Sequence, residues 1–510
     1  MLEESEVRAF YAGKNFFITG GTGFVGLCLI EKILRTIPDS GKLYLLMRPK
    51  KGKEITERLE EFRTNPVFEK LLETNSTDVF KKLVPVAGDV GEDNLGLSPQ
   101  DRTTLIDNVH VVIHSAATLD FQENLRPTVK INVLGTRRVM ELSQQIKNLK
   151  VVVHVSSAYV NSYLKEAYEK IYEAPEDVEK VIALVGTLSD EGLDQIEGKL
   201  LKTHPNTYTF TKHLAEHEVL KYADFFPCTI VRPTMIVAAW KEPVPGWTCS
   251  KVGPQGFLMG ASKGVVRRLP IAKEIIADYI PVDIVINELL VAGWQAAKAK
   301  SGISVYHCSS STQRPFQWVM ADTQVNALLH KYPLKSAVWY PYLKFVSSLW
   351  LFRLSAIFVH FFPAILLDNL LRITGGRPIL FRLHKNVWNS LNRLEKFIFT
   401  EWRFHNQNTR ELEGKLGDAD RKLFNIDISE LNWDEYIEIL VRGVRRYLNK
   451  ETEKTLPAAR NKDFKLLIFH IIWQMLMILL CWWLVSCLTG FSMTQCAWAA
   501  PVSYILYSFL

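Results

Sequence analysis

The feature that most constrains the fold is a glycine-rich turn placed directly after an apolar run near the start of the chain. Residues 14–26 read KNFFITGGTGFVG, in which a short β-rich run leads into glycines and then into a helical stretch. Gly20 permits a tight turn, Gly23 lets a phosphate group approach the backbone, and Gly26 allows close helix–strand packing. Free amides at the start of such a helix bind phosphate. The predicted contacts with a nucleotide are Thr19, Gly20, Gly21, Thr22, Gly23, Phe24, Val25 and Gly26.

The first 300 residues alternate between β-rich runs and helical stretches, which is typical of a doubly wound parallel sheet. Several runs are continuously apolar, as expected for strands that are buried on both faces. The predicted strands are Asn15 to Thr19, Leu43 to Met47, Leu83 to Ala87, His110 to His114, Val151 to Val155 and Thr229 to Val231. We therefore predict an α/β Rossmann domain over residues 1–316 and a mainly helical domain over 317–460. A membrane anchor is predicted over 461–510.

The anchor is predicted from Leu466–Leu488, which contains no charged residue. As a helix, this segment would rise about 34 Å, enough to cross a hydrocarbon core of about 30 Å. The uncharged remainder, 489–510, predicts either a second, weaker span kinked at Pro501 or a re-entrant segment. The cations before the anchor predict that the preceding body lies on the cytosolic side. They are Arg442, Arg445, Arg446, Lys450, Arg460, Lys462 and Lys465.

A second apolar region, residues 336–372, is interrupted by Lys344, Arg353 and Pro363. These interruptions argue against a clean membrane span. They favour an amphipathic helical pair that is packed on the body or rests on a membrane.

Composition excludes several classes of protein. The formal net charge of +7 over 510 residues is too small to indicate nucleic-acid binding. The seven cysteines are scattered and form no C-x-x-C pair, which argues against a disulfide framework or a zinc site and fits a reducing compartment. The acidic N-terminus lacks the apolar core of a secretory signal.

The ends of the next strands indicate which dinucleotide the turn binds. An NAD site usually has an acidic residue after the second strand, whereas this chain has Arg48 and Lys50, which suit the 2′-phosphate of NADPH. Asp89, after the third strand, either accepts a hydrogen bond from the adenine amino group or caps the next turn. Ala116 and Ala117 follow the fourth strand, and their small side chains would let the nicotinamide ribose approach the backbone.

Tyr208 and Lys212 are the predicted catalytic pair, because they lie one helical turn apart on the same face. The ammonium, together with the oxidised nicotinamide, is expected to lower the tyrosine pKa towards working pH, so that the phenol can act as a general acid. Lys212 is also expected to bind the nicotinamide ribose. The fifth strand ends in Ser156-Ser157, and we expect Ser157, rather than Ser156, to polarise the substrate carbonyl.

These residues resemble those of the extended short-chain dehydrogenases/reductases, and most closely the alcohol-forming fatty acyl-CoA reductases. TGGTGFVG, VHVSSAYVN, PNTYTFTK and IVRPTMI carry the resemblance, with HFFPAILLD further on. It implies two NADPH-dependent reductions, of a long-chain acyl-CoA to an aldehyde and of the aldehyde to a primary alcohol, with no metal. It also implies that the long insertion between Ser157 and Tyr208 forms part of the route by which substrate enters.

Some alternatives stay open. The basic stretch of Lys251, Lys263, Arg267 and Arg268 either binds the phosphates of coenzyme A or is a solvated basic face. A rival enzyme of the same fold would act on a sterol or a sugar nucleotide, and a non-catalytic protein would only bind NADPH. The expected location is an intracellular membrane, first the endoplasmic reticulum, with the peroxisomal membrane or lipid droplet as alternatives. The oligomeric state is left open, with a homo-oligomer as one option.

Overall fold

The computed structural model describes residues 4–50, 52–119 and 123–509. Its centre is a sheet of seven strands, all of them paired in parallel. The strands are β1 Phe16–Thr19, β2 Leu43–Met47, β3 Leu83–Ala87, β4 Val111–His114, β5 Val151–Val155, β6 Pro227–Pro233 and β7 Gly302–Cys308. Their order across the sheet is β7-β6-β5-β4-β1-β2-β3. The predicted doubly wound sheet is confirmed, and each of the six predicted strands is present.

The order reverses between β1 and β4, which are neighbours in the sheet although they are not consecutive along the chain. In an open parallel sheet, a crevice forms at such a switch point beside the carboxyl ends of the strands, and ligands bind there. β1, β2 and β5 are buried along their whole lengths because helices cover both faces of the sheet. The seventh strand, β7, was not predicted. It pairs with β6 along seven residues at the edge of the sheet.

By its internal contacts, the chain divides into two units. The first contains the residues up to Thr248 together with Ile276–Phe316 and Glu401–Asn432, and the second contains Cys249–Ile275, Gln317–Thr400 and the residues from Trp433 onwards. Two segments thus belong to a different unit from the residues that flank them in the sequence. Residues 249–275 belong to the second unit, and residues 401–432 belong to the first. The predicted boundaries at 316 and 460 stay predictions.

The first unit surrounds its sheet with helices. They are Glu6–Tyr11, Phe24–Thr36, Ile55–Glu60, Glu69–Thr74, Pro99–Asn108, Leu125–Thr128, Leu134–Gln145, Val178–Thr187, Asp190–Leu201, Thr207–Leu220, Val282–Ala296, Gln407–Glu413 and Asp418–Leu423. A π-helical turn, Val129–Val133, joins two of them into one continuous helix. Two short parallel strand pairs complete the unit, Met235–Val237 with Tyr279–Pro281 and Glu166–Ala167 with Arg403–Phe404.

The insertion before Tyr208 folds mainly as the two helices Val178–Thr187 and Asp190–Leu201. Their apolar residues form one buried cluster with Val129, Phe210 and other residues of the two helices next to them. The insertion is therefore packed directly against the helix that carries Tyr208 and Lys212.

The second unit is mainly helical, as predicted for this part of the chain. Its helices are Pro254–Ser262, Asp322–Lys331, Leu349–Ala356, Phe362–Ile373, Leu380–Phe399, Trp433–Gly443, Leu456–Thr489 and Ala499–Phe509. A π-helical turn, Ile357–Phe361, links two of them, so that Leu349–Ile373 is one helix. Arg268–Pro270 pairs with Lys344–Val346 as two short parallel strands.

Two helices in the described residues are long and apolar enough to cross a membrane, Leu349–Ile373 and Glu453–Thr489. In the most apolar stretch of the first, 39% of the residues are buried within the protein, whereas none are buried in the second. The predicted apolar segment 466–488 thus lies within one continuous helix, most of whose apolar surface is not buried.

The uncharged tail after this helix turns back on it. Trp482 Nε1 donates to Met493 O at 2.8 Å, and Ser486 Oγ donates to Phe491 O at 2.6 Å. The following helix, Ala499–Phe509, has 11 residues. Pro501 lies in the first turn of this helix, where proline is tolerated. The choice between a second span and a re-entrant segment stays a prediction.

Candidate active site

The glycine turn connects β1 to the Phe24–Thr36 helix, and it has no room for a side chain at Gly20 or Gly26. Gly20 has a φ of +76°, and a Cβ there would lie 2.7 Å from Ser115 Oγ and 2.8 Å from Ala116 N. The predicted tight turn is confirmed, and the loop after β4 lies directly against it. Gly23 caps the helix, whose first amides point out of the turn.

Gly26 allows the helix to lie against the turn itself. A Cβ at this position would lie 2.3 Å from Gly20 O and 2.6 Å from Gly21 Cα. The expected close packing is therefore present, and the partner is the backbone of the turn. This cradle fits the pyrophosphate of a dinucleotide, because backbone amides are presented where no side chain intervenes.

Thr19 holds the ends of β1 and β4 together. Its buried hydroxyl lies 2.7 Å from His114 Nδ1 and accepts a hydrogen bond from Ala116 N at 3.2 Å, while Ser115 Oγ donates to Thr19 O at 2.8 Å. Thr19 thus positions the loop that contains Ala116 and Ala117, both of which are half-buried beside the turn.

The cations predicted after β2 lie at its carboxyl end. Arg48 Nη1 forms an ion pair with Asp89 Oδ2 at 2.8 Å, and both side chains are accessible to solvent. Asp89 Oδ1 accepts from Gly91 N at 2.9 Å, so Asp89 caps the next turn, one of the two roles considered for it. Lys50 is exposed, and its backbone forms a bridge with Lys53.

Arg58 is a third cation at this end of the crevice, and the sequence did not reveal it. Its guanidinium donates to Thr22 Oγ1 at 3.1 Å and to Arg48 O, so it connects the glycine turn with the end of β2. It lies in the short helix Ile55–Glu60 among other charged residues, and nothing in the local pattern sets it apart.

Tyr208 and Lys212 are buried side by side on the Thr207–Leu220 helix, whose first turn is capped by the Asn206 side chain. Lys212 Nζ donates to Val155 O at 2.7 Å and lies 3.3 Å from His154 Nε2. The predicted lysine is thus fixed to the end of β5, the strand that leads into the two serines.

The two serines after β5 face different partners. The Ser157 hydroxyl is hydrogen-bonded to the Tyr208 phenol, and it also accepts from Tyr159 N at 3.3 Å. Ser156 Oγ instead donates to Glu216 Oε1 at 2.5 Å, and Glu216 is paired with the buried Arg232. The geometry brings Ser157 to Tyr208, and it directs Ser156 away from it.

Burial shifts the pKa values of the pair in opposite directions. Burial raises the pKa of Tyr208 to about 12, although the hydrogen bond from Ser157 acts in the opposite direction. Burial lowers the pKa of Lys212 to about 8, partly offset by Glu216. Among the protein groups alone, the desolvation of the phenolate dominates the pKa of Tyr208. The phenol is therefore protonated at neutral pH, as a proton donor must be. The lowering expected in the presence of the oxidised nicotinamide stays a prediction.

His154 and Asn132 are two further polar residues at the site that the sequence did not single out. His154 is fully buried, and desolvation with the nearby Lys212 charge holds its pKa well below the usual range. Its neutral Nε2 can therefore accept a hydrogen bond from the Lys212 ammonium. Asn132, in the π-helical turn, accepts from Thr118 N at 3.0 Å and donates to Thr211 Oγ1 at 3.1 Å. It ties the loop after β4 to the catalytic helix.

The basic stretch considered for coenzyme A belongs to the second unit. Lys251 is exposed, but Arg267 and Arg268 are only 7% and 3% exposed. The Arg267 guanidinium lies over the Trp339 ring at 5.3 Å. A solvated basic face is thus wrong for the two arginines. Among the described residues, no group of three or more His, Cys, Asp or Glu side chains is arranged to hold a metal ion.

Comparison with known proteins identifies the protein family. Two families described as male sterility protein match the chain, an NAD-binding one over residues 18–289 and one named Sterile over residues 359–451. Fatty acyl-CoA reductase 1 of Xenopus laevis is 36% identical over 93% of this chain and 92% of its own length. Fatty acyl-CoA reductase 2 of Homo sapiens is 34% identical over 99% and 98%. A Drosophila melanogaster protein provisionally named a fatty acyl-CoA reductase is 57% identical over the full length of both chains.

Solved structures share the fold. The terminal R domain of the myxalamid biosynthetic pathway aligns with a TM-score of 0.58 at 18% identity, covering 86% of this chain and 93% of its own. The reductase domain of a non-ribosomal peptide synthetase from Mycobacterium tuberculosis aligns with a TM-score of 0.55 at 18% identity, covering 88% and 96%.

The glycine cradle and the Ser–Tyr–Lys group at the carboxyl edge of a parallel sheet define a nicotinamide-dependent reductase of the extended short-chain dehydrogenase/reductase class. Within that class, the chain belongs to the fatty acyl-CoA reductase family. The resemblance drawn from the sequence motifs is confirmed.

The close approach at Gly26 gives a test of the cradle. Gly26→Ala places a methyl group against backbone atoms that cannot move aside, so we expect a loss of about 1–3 kcal/mol in the free energy of unfolding and an NADPH affinity weakened about tenfold. Gly198→Ala is the control, because that helical glycine has open space around it. Thermal unfolding and NADPH fluorescence titration measure both effects. Equal behaviour of the two variants would contradict the assignment.

The contact between Lys212 and His154 gives a pH-dependent test. The lysine is charged below its pKa of about 8, so NADPH affinity should weaken as the pH rises through that value. His154→Leu removes an acceptor from the ammonium and should move this weakening to lower pH, whereas His154→Gln supplies an amide oxygen and should restore it. The measurement is the NADPH dissociation constant between pH 6 and pH 10. A midpoint that does not move in His154→Leu would show that His154 does not position Lys212.

Proposed function

We propose that this protein reduces a long-chain acyl-CoA to a primary alcohol and free coenzyme A through an aldehyde, using two molecules of NADPH. The observation that carries the proposal is the buried Ser157–Tyr208–Lys212 group beside the glycine cradle. Membership of the fatty acyl-CoA reductase family supports the substrate class.

The three side chains divide the work of each reduction. NADPH, when bound, supplies hydride to the carbonyl carbon of the substrate. Ser157 and Tyr208 donate hydrogen bonds to the carbonyl oxygen, which gains negative charge as the carbon is reduced. Tyr208 holds the transferable proton, since its pKa of about 12 keeps the phenol neutral. Lys212 keeps its positive charge near the phenol and would hold the nicotinamide ribose.

The same donors serve two different outcomes. In the first reduction, the carbon–sulfur bond of the adduct breaks, coenzyme A leaves as the thiol after taking up a proton, and an aldehyde remains. In the second reduction, the aldehyde oxygen takes the proton of Tyr208 and becomes the hydroxyl of the alcohol. Each reduction consumes one hydride and one proton, so the balance requires no thiol nucleophile of the protein.

The preference for NADPH rests on the cations around the end of β2. Arg48 and Arg58 converge there, with Arg58 hydrogen-bonded to Thr22 of the glycine turn. Lys50 adds a third, exposed cation at the same end. A 2′-phosphate is the nucleotide group that such a cluster would recognise.

We further propose that the Leu456–Thr489 helix anchors the protein in an intracellular membrane, with the catalytic body in the cytosol. The support is its exposed apolar surface and the basic residues that precede it. The endoplasmic reticulum is the first candidate, followed by the peroxisomal membrane and the lipid droplet.

The first test is the stoichiometry and the role of Tyr208. The purified full-length protein should consume two NADPH for each acyl chain, and mass spectrometry should identify the alcohol. Tyr208→Phe removes the proton donor, so kcat should fall about 100-fold or more, with NADPH affinity kept.

Tyr222→Phe is the matched control, since Tyr222 is a half-buried tyrosine just after the same helix and should leave kcat unchanged. Consumption of a single NADPH with release of aldehyde would contradict the proposed pair of successive reductions to the alcohol. Full activity of Tyr208→Phe would overturn the catalytic assignment.

The second test concerns the nucleotide. Arg58→Ala should raise the KM for NADPH about tenfold, because one charged hydrogen bond to the 2′-phosphate is lost, and should leave the KM for NADH unchanged. Arg63→Ala is the control, an exposed arginine paired with Glu60. Steady-state rates with each nucleotide give both constants. A parallel rise in both KM values would mean that Arg58 only supports the turn.

A further inference from the structure

The second unit contains a helical hairpin, Leu349–Ile373 followed by Leu380–Phe399, whose first helix exposes a continuous apolar stripe. Six side chains at helical spacing form the middle of this stripe, and each is 41–56% exposed: Ile357, Phe358, Phe362, Ile365, Leu366 and Leu370. We call this stripe the hairpin surface. An apolar surface of this length is rare on a protein that is surrounded by water alone.

The opposite side of the same helix packs against other residues of the second unit. Phe352 and Val359 are buried there, and His360 Nε2 accepts hydrogen bonds from the backbone amides of Arg267 and Arg268 at 3.1 and 3.2 Å. Asp368 is also buried, and it accepts from Leu380 N at 3.0 Å and from Phe381 N at 2.9 Å at the start of the second helix. A helix that packs one side on the protein through buried apolar and hydrogen-bonded polar groups, and exposes an apolar stripe on the other, is arranged to lie along an interface.

The charges of the hairpin identify the kind of surface that would cover it. The hairpin, residues 349–399, contains seven cations, Arg353, Arg372, Arg377, Arg382, Lys385, Arg393 and Lys396, and two acidic residues, the buried Asp368 and Glu395, which is paired with Arg353. Exposed apolar side chains next to an excess of arginines and lysines, with the partly exposed Glu395 neutralised by Arg353, complement a leaflet of anionic phospholipid.

The hairpin is also linked to the long apolar helix of its own unit. Trp339 packs against Phe469 and Trp473 of that helix, with ring centroids 5.2 and 5.8 Å apart. The Arg267 guanidinium lies over the Trp339 ring at 5.3 Å, and the Arg267 backbone amide donates a hydrogen bond to His360 of the hairpin. A bilayer that receives the Leu456–Thr489 helix would therefore lie close to the hairpin surface.

We infer that the hairpin surface is a second membrane contact, which lies in the headgroup region of an anionic leaflet beside the anchor. It would hold the second unit against the membrane at two places. The inference rests on the proposed membrane anchor and does not depend on the proposed reaction.

The test uses the full-length protein in liposomes, with a dansyl-bearing amino acid in place of Ile357. Lipids that carry a quencher near the headgroup should quench this probe about threefold more than the same probe at Gln100, an exposed residue of the first unit. Iodide in the water should give the reverse order. Strong quenching by iodide at position 357 would mean a water-facing surface, and protection from both quenchers would mean that a protein covers it. Either result overturns the inference.

The role of the charges is tested separately. Replacing phosphatidylcholine in part with phosphatidylserine should increase lipid quenching at position 357, and the double variant Arg377→Glu/Arg382→Glu should abolish the increase. Lys70→Glu/Lys81→Glu is the matched control, with two exposed lysines of the first unit. An increase that survives Arg377→Glu/Arg382→Glu would overturn the assignment to anionic lipid.

Discussion

The contact between the Phe24–Thr36 helix and the turn before it is the constraint on which the rest of the nucleotide site depends. The helix can begin where it does only because Gly26 has no side chain, since a Cβ would lie 2.3 Å from Gly20 O. Gly20 in turn lies against the loop after β4, which is held by Thr19 and His114. The two strands on either side of the switch point are thereby joined through backbone and small groups.

Burial determines how the catalytic group works. A phenol without contact with water holds its proton, and an ammonium without contact with water gives it up more readily, so the pKa values of Tyr208 and Lys212 move in opposite directions. The protein offsets part of the cost of burying Lys212 with two acceptors, Val155 O and the neutral ring of His154. The resulting site presents a neutral acid, the Tyr208 phenol, beside a positive charge on Lys212. This arrangement suits the reduction of a carbonyl.

Much of the fold could be predicted, because strands that are buried on both faces need continuous apolar runs. Six strands of the sheet are present as expected, whereas β7 was missed because it begins with exposed and half-buried residues at the edge of the sheet. Tyr208 and Lys212 could be paired because their spacing matches one helical turn. The sequence favoured Ser157 over Ser156 as the residue that polarises the carbonyl. Only the structure showed that Ser156 has a different partner, Glu216.

The sequence by itself determined the class of fold, the glycine cradle, the Tyr–Lys pair and the family, since each depends on residues close together in the chain. Only the tertiary structure decided which groups surround them. Arg58 reaches the turn from a separate helix, and His154 meets Lys212 across 58 positions of sequence. The sign of the Tyr208 pKa shift and the burial of Arg267 were likewise decided by packing. Solvent exclusion depends on every element that covers a side chain, and local spacing does not record it.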